Sequence, residues 1–341
     1  MENIIKAAVE RGATDIHIKA GDVVRARIDG RLQALTKQRL TPEQTREIAL
    51  KVIPSEQDRK SIDSLKDYDC SWGAPGVGRF RVNILRQRSS FMVVMRVIPF
   101  EVPSIAKLGL PKGLETIAEG EKGLVVVTGL AGSGKSTTIA ALVNHLNATS
   151  EKHIITVEAP IEYLHRDISA SITQREVGTD TEGFTGALRS ALHQDPEVIV
   201  VDAMLDPPML EAALRGAETG SLVIATLPTA DSVATIARLV GMFPPRERER
   251  GTFRLAEALH AIVSQKLIPL SSGEGRCAAV EILICNDEIK ELIRDRNKVA
   301  DIPAAIASDE SGAMQTFDQH LKQLVSEGLI GTRAALAAAG K

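Results

Sequence analysis

The eight residues Gly129-Leu130-Ala131-Gly132-Ser133-Gly134-Lys135-Ser136 fit G-x-x-x-x-G-K-[ST] at every specified position. The period of the chain changes across them. Leu124 to Thr128 is a short β-branched run, whereas Thr137 to Asn147 carries Ile139, Leu142, Val143 and Leu146 at helical spacing. A strand, a glycine turn and a helix in that order predict a phosphate-binding loop. The glycines let backbone N–H groups curl round phosphate oxygens, and the helix start adds positive potential. Lys135 then neutralises the β- and γ-phosphates, and Ser136 holds Mg²⁺. Gly129, Gly132, Ser133, Gly134, Lys135, Ser136 and Thr137 are the candidate nucleotide-binding residues.

A chain of 341 residues, 44% of them apolar, has length for two domains and material for real cores. With 41 basic and 44 acidic residues the net charge is −3, and only 3% of residues are aromatic. Neither value favours binding to nucleic acid, which calls for a basic face or stacking platforms. No apolar run approaches the roughly 18 residues that span a bilayer, and Met1 to Arg11 lacks the apolar core of a signal peptide. A cytoplasmic location is expected. Cys70, Cys277 and Cys285 form no C-x-x-C pair, so free thiols are expected in place of a zinc site or disulfide framework.

Along the chain, Ile4, Ile5, Ala8 and Val9 share a helical face, and Asp15 to Lys19 alternates like an edge strand. Val23 to Ile28 and Arg31 to Leu35 flank Asp29-Gly30, a strong hairpin signal. Thr41-Pro42-Glu43-Gln44 reads as an N-cap, a first-turn proline and a capping-box glutamine, opening a helix to about Ile53. Strands from Tyr68 to Trp72, Arg79 to Ile84 and Phe91 to Ile98 complete a small α+β domain, residues 1–98. Arg79 and Arg81 lie on one face of their strand, within reach of a neighbouring domain or a phosphate; spacing alone favours a solvated sheet face. Prolines and turn residues mark 99–118 as a linker. In 119–341, strands at Leu124 to Thr128, His153 to Val157, Val198 to Val201 and Leu222 to Thr226 alternate with helices, which predicts a parallel sheet. After about Gly241 helices are expected at Thr252 to Ser264, Asp287 to Asp295, Thr316 to Ser326 and Thr332 to Ala339.

Gln174-Arg175-Glu176-Val177-Gly178, Asp195-Pro196-Glu197-Val198-Ile199, Ala217-Glu218-Thr219-Gly220 and Met314-Gln315-Thr316-Phe317-Asp318 carry a resemblance to the secretion ATPase superfamily, and within it to the PilT-type twitching-motility ATPases. Asp15-Ile16-His17, Ile28-Asp29-Gly30 and Arg79-Phe80-Arg81-Val82-Asn83 extend it over essentially the whole chain. It implies an α/β fold, a RecA-like P-loop NTPase core joined to an N-terminal PAS-like α+β domain. It also implies six copies in a ring, ATP and Mg²⁺ as ligands, and pilus retraction through an inner-membrane platform protein, with the chain peripheral at that membrane. By the same resemblance Arg81 and Arg96 reach phosphate. No tetracysteine zinc site is present, which places the chain nearer the retraction branch.

Three of the four motifs that surround nucleotide in the family are altered here. The acidic box reads Val157-Glu158-Ala159-Pro160-Ile161-Glu162, without its aspartate. The box that ends in Gly-Glu-Met-Arg-Asp reads Asp202-Ala203-Met204-Leu205-Asp206, so the water-polarising glutamate is Ala203. The histidine box keeps neither histidine: Ser221 and Pro228 stand in their places. Asp202 occupies a position where many P-loop ATPases put a Mg²⁺-associated aspartate, so with Ser136 it is the candidate metal pair. The expectation is a subunit that binds MgATP with impaired hydrolysis, in a homo-hexamer or in a mixed ring with an active paralogue. The alternatives are an active ATPase using Glu158 or Asp202 as base and, disfavoured by charge, a RecA-like nucleic-acid motor. Glu288-Ile289-Lys290-Glu291-Leu292-Ile293-Arg294 resembles the helix that matters for retraction in the family.

Overall fold

Alternation of buried and exposed residues in the first hundred positions builds a sheet with one apolar face. The computed structural model describes every residue except Asp29, Phe100, Leu205, Arg296 and Lys341. Two units emerge: residues 1–101 with 162–164, and residues 102–161 with 165–341.

The first unit opens with α1 (Glu2–Glu10), β1 (Ala13–Lys19), β2 (Arg25–Ile28) and β3 (Arg31–Ala34). It continues through α2 (Pro42–Val52), α3 (Glu56–Lys60), β4 (Asp67–Ala74), β5 (Gly78–Gln87) and β6 (Ser90–Ile98). The six strands pair antiparallel in the order β3-β2-β1-β6-β5-β4. Strand β1 is thus interior, not the edge strand its alternation suggested; its outward residues are polar because that sheet face is uncovered by the unit's own core. Inward residues Ile16, Ile18, Phe80, Val82, Val93 and Met95 pack with Ile5, Ala8, Ala49 and Val52 of α1 and α2. The capping box at Thr41 and Gln44 is present in both directions. Ile28 pairs with Arg31 as the hairpin requires, while Asp29 of its turn lies outside the described residues.

In the second unit the elements are α4 (Gly113–Ala118), β7 (Gly123–Thr128), α5 (Lys135–Thr149), β8 (His153–Glu158), β9 (Ser171–Glu176), α6 (Phe184–Ala191) and β10 (Val198–Asp202). There follow α7 (Pro207–Thr219), β11 (Leu222–Leu227), α8 (Ser232–Met242), α9 (Arg248–Ala258), β12 (Leu259–Pro269) and β13 (Arg276–Ile284). The chain closes with α10 (Asp287–Arg294), α11 (Ile302–Ala307), α12 (Phe317–Ser326) and α13 (Thr332–Ala338). Seven strands run in the order β13-β12-β7-β11-β10-β8-β9, parallel except for β13. Alternate residues of each central strand enter opposite cores. Leu124, Val126, Ile199 and Val201 join one, and Val125, Val127, Val198 and Val200 join the other. A parallel sheet with apolar cores on both faces, together with a smaller antiparallel α+β unit, is the α/β architecture that the resemblance implied.

Two expectations change. The linker expected over 99–118 is largely part of the second unit: Ile105, Leu110, Leu114 and Ile117 are buried in its core, so apolar burial outweighs the turn-rich composition. The helix expected over Thr252 to Ser264 ends at Ala258, and Leu259 onward is strand. A continuous apolar run buried on both faces satisfies either period.

Candidate functional site

Thr128 ends β7, and the glycine loop carries the chain into α5, whose N-cap is Gly134 at φ +89°. The loop is closely packed. A Cβ on Gly129, at φ +148°, would lie 2.3 Å from Ser133 Oγ and 2.5 Å from the Gln265 carbonyl oxygen. Lys135 donates from Nζ to the carbonyls of Gly129 (2.8 Å) and Leu130 (3.1 Å), so its ammonium sits over the loop.

The parallel sheet brings two acidic residues to the same end. Register places Asp202 beside Glu158 at the carboxyl ends of β10 and β8, the edge of an open α/β sheet where ligands bind. Asp202 accepts through Oδ2 from the Ser136 hydroxyl (3.3 Å) and through Oδ1 from the Thr226 hydroxyl (2.8 Å). Its side chain therefore joins the phosphate loop to β11. Ala203, half-buried, follows directly. Leu205 of the same box lies outside the described residues. Glu158 Oε1 accepts from the Thr156 hydroxyl (2.6 Å) and the Gln174 amide (3.0 Å).

The histidine-box positions separate. Pro228 follows β11 at the end near the loop, where Leu227 pairs with Thr128. Ser221 precedes the strand at its opposite end, donating to the Pro196 carbonyl (2.9 Å). A six-residue strand spans roughly 20 Å, so Ser221 does not belong to the group around the loop, contrary to the motif-based expectation. Proximity in sequence to Pro228 gave no sense of which end of the strand it marks.

Sequence reading also missed Gln265. On β12, beside β7, this buried side chain donates from Nε2 to the Ser133 carbonyl (2.6 Å) and accepts through Oε1 from the Thr138 hydroxyl (2.7 Å). It has no motif around it, and only the strand pairing of Ser264 with Thr128 brings it to the loop.

Arg81 and Arg96 lie in the first unit, directly opposite each other on β5 and β6. Arg96 donates to Asp15 Oδ1 at 2.9 Å, and Asp15 also lies 3.7 Å from Arg27. Arg81 is exposed and has no acidic partner among the described residues. Two arginines facing each other on one sheet surface are a cost that an anion would relieve.

Hard oxygen donors at Ser136 and Asp202 fit Mg²⁺ held jointly with phosphate. Among the described residues no cluster of three or more His, Cys, Asp or Glu is placed to hold a metal by itself. No helix among them is long and apolar enough to cross a membrane.

Comparison with known proteins places these features in one group. A family model described as "Type II/IV secretion system protein" matches residues 1–336. The type IV pilus retraction ATPase PilT of Pseudomonas aeruginosa is 40% identical over 332 residues, 97% of this chain and 96% of that protein. A twitching motility protein of Neisseria gonorrhoeae is 40% identical over 309 residues, 91% of this chain and 82% of that one. A crystal structure of the pilus retraction motor PilT with bound ADP superimposes with a TM-score of 0.89 at 43% identity, covering 100% of this chain and 97% of the other.

Proposed function

This chain belongs to the type II/IV secretion system protein family, and we propose that it is the nucleotide-binding subunit of a PilT-like motor for type IV pilus retraction, with impaired ATP hydrolysis. The observation that carries this reading is the junction of Asp202 with Ser136 and Thr226, followed at once by Ala203. Groups suited to phosphate and Mg²⁺ are present, whereas the position at which the resemblance implies a water-polarising carboxylate holds a methyl group.

Gly129, Gly132, Ser133, Gly134, Lys135, Ser136 and Thr137 would hold the phosphates of ATP, with Ser136 and Asp202 holding Mg²⁺. When bound, the ion neutralises charge on the phosphate oxygens. The loop orients the chain of phosphates, and Lys135 exchanges its carbonyl partners for phosphate oxygen. Water meets no base at Ala203, and loss of a positioned base costs roughly 10²–10⁴-fold in rate. Glu158 is a weak substitute because Thr156 and Gln174 already direct its carboxylate. Arg81 and Arg96 are proposed to add positive charge for phosphate in the assembled ring, a homo-hexamer or a mixed ring with an active paralogue at the inner-membrane platform protein.

Phosphate release by the purified chain, measured beside ATP binding, tests the reading. Binding that needs Lys135, with turnover far below one event per second, is expected. Turnover of about one per second that disappears in Lys135→Ala would establish the competing reading of an active ATPase.

A further inference from the structure

The phosphate loop is held by a residue far from it in sequence. Gln265 lies 132 positions beyond Ser133, is 3% exposed, and uses both ends of its carboxamide on the loop and the first turn of α5. Its Nε2 is 2.6 Å from the Ser133 carbonyl oxygen, and its Oε1 is 2.7 Å from the Thr138 hydroxyl. Its surroundings are filled as well as bonded. A Cβ on Gly134 would come within 2.8 Å of Gln265 Nε2, and a Cβ on Gly129 within 2.5 Å of the Gln265 carbonyl oxygen. The loop's first and last motif glycines thus allow the close approach of this one residue.

We propose that Gln265 is a positioning residue for the nucleotide: it fixes the direction of the Ser133–Gly134 peptide and thereby aims the Gly134 N–H. In a trans peptide the C=O and the following N–H point in opposite directions. Holding the Ser133 carbonyl on Gln265 turns the Gly134 N–H away from Gln265, making it available to phosphate. Rotation of that peptide would instead turn a carbonyl dipole toward the anion. Both a donor and an acceptor are needed at position 265, because Ser133 offers a carbonyl and Thr138 a hydroxyl. An amide meets that demand; a carboxylate or an alkyl group does not. This assignment rests on the nucleotide-binding reading above for its functional consequence, but its structural content stands apart from it.

The test uses the full chain and two variants, Gln265→Glu and Gln265→Leu, with MgATP binding measured from pH 8 to pH 5 and loop order measured separately by hydrogen exchange without nucleotide. At neutral pH the carboxylate of Gln265→Glu faces the Ser133 carbonyl, and ATP affinity is expected to fall about 10- to 100-fold. Burial raises a carboxyl's pKa, so on acidification the group gains a proton to donate and affinity recovers relative to the parent. Gln265→Leu is expected to lose affinity at every pH without that recovery. In both variants the amides of residues 129–134 exchange faster at neutral pH, with the rest of the core unchanged. ATP affinities within twofold of the parent across the range, or loop exchange equal to the parent in both variants, would overturn the assignment. If the parent itself binds no ATP, the functional reading fails, and loop exchange alone still decides whether Gln265 orders the loop.

Discussion

Ser136 donates its hydroxyl to Asp202 at 3.3 Å, tying the first turn of α5 to the carboxyl end of β10. Thr226 bonds the other carboxylate oxygen, so Asp202 is held at the sheet end through both of its oxygens. Asp202→Ala is expected to weaken Mg²⁺-dependent ATP binding about 10-fold or more while sparing Mg²⁺-free nucleotide binding. Titration with and without Mg²⁺ checks this. Equal loss in both series would give Asp202 a purely structural role.

Ala203 and Ser221, where the resemblance implies a glutamate and a histidine, lie at opposite ends of the parallel strands β10 and β11. Ala203→Glu restores a carboxylate beside Asp202 and should raise phosphate release by about 10-fold or more. Ser221→His, at the far end of β11, should leave release within about twofold of the parent, because a side chain there gives no positioned base near the loop. Initial-rate phosphate assays of the two variants separate the positions. A larger effect from Ser221→His would mean that the sheet end is the wrong criterion.

Glu281 is a buried carboxylate at the heart of another junction. Its Oε1 accepts from the Ser232 N–H (2.9 Å), the Ser232 hydroxyl (2.7 Å) and the Ser264 hydroxyl (3.3 Å). It anchors the start of α8 to β12, the strand that also carries Gln265. Glu281→Ala leaves those donors without their acceptor and is expected to cost roughly 2–4 kcal/mol. Glu281→Gln, which keeps an acceptor oxygen, should lose less. Urea unfolding of the second unit distinguishes them, and equal stability of both variants with the parent would refute the anchor.

The pH dependence of stability should carry a histidine signature. Burial pushes the His165 imidazole down to about 4 from its ordinary 6.5, and its Nδ1 has no hydrogen-bond partner among the described residues. Between those two values the unfolded chain takes up a proton that the folded chain refuses. Stability is therefore lost as pH falls from about 6.5 toward about 4. From pH 7 to pH 5 this one group accounts for about 2 kcal/mol. His165→Phe should lose less stability over that interval than the parent by about this amount. Parallel curves for parent and variant would place the proton uptake elsewhere.

Much of this was legible because local rules agreed with the tertiary outcome. The motif at Gly129 to Ser136 lies between a strand and a helix as its spacing demands, and the capping box read at Thr41 and Gln44 opens α2. The β12–β13 hairpin was hidden because its apolar residues are buried on both faces and carry no period of two. Strand β9 was hidden for the opposite reason: Ser171–Glu176 is a mostly polar edge strand with little apolar signal. Gln265 was invisible because its role comes from strand pairing, which no local window contains. Ser221 was misplaced because a motif gives neighbours in sequence but not the direction in which its strand runs.

Gly129 and Gly134 give a graded test of how the loop is packed. Both occupy positive φ, where an alanine is strained by about 1–2 kcal/mol. Their neighbours differ in freedom. At Gly129 the added Cβ meets the backbone oxygen of Gln265 at 2.5 Å, inside a strand paired on both sides. At Gly134 it meets the end of the Gln265 side chain at 2.8 Å, which moves only by giving up its two hydrogen bonds. Gly129→Ala is therefore expected to reduce both stability and ATP binding, since β7 and β12 must separate to admit the methyl group. Gly134→Ala should keep more of the parent's thermal stability but lose ATP affinity to a similar extent as Gln265→Leu, because it displaces the same carboxamide. Melting temperatures and ATP titrations of the three variants check the order, and a Gly134→Ala variant that binds ATP like the parent would show that the carboxamide is not required.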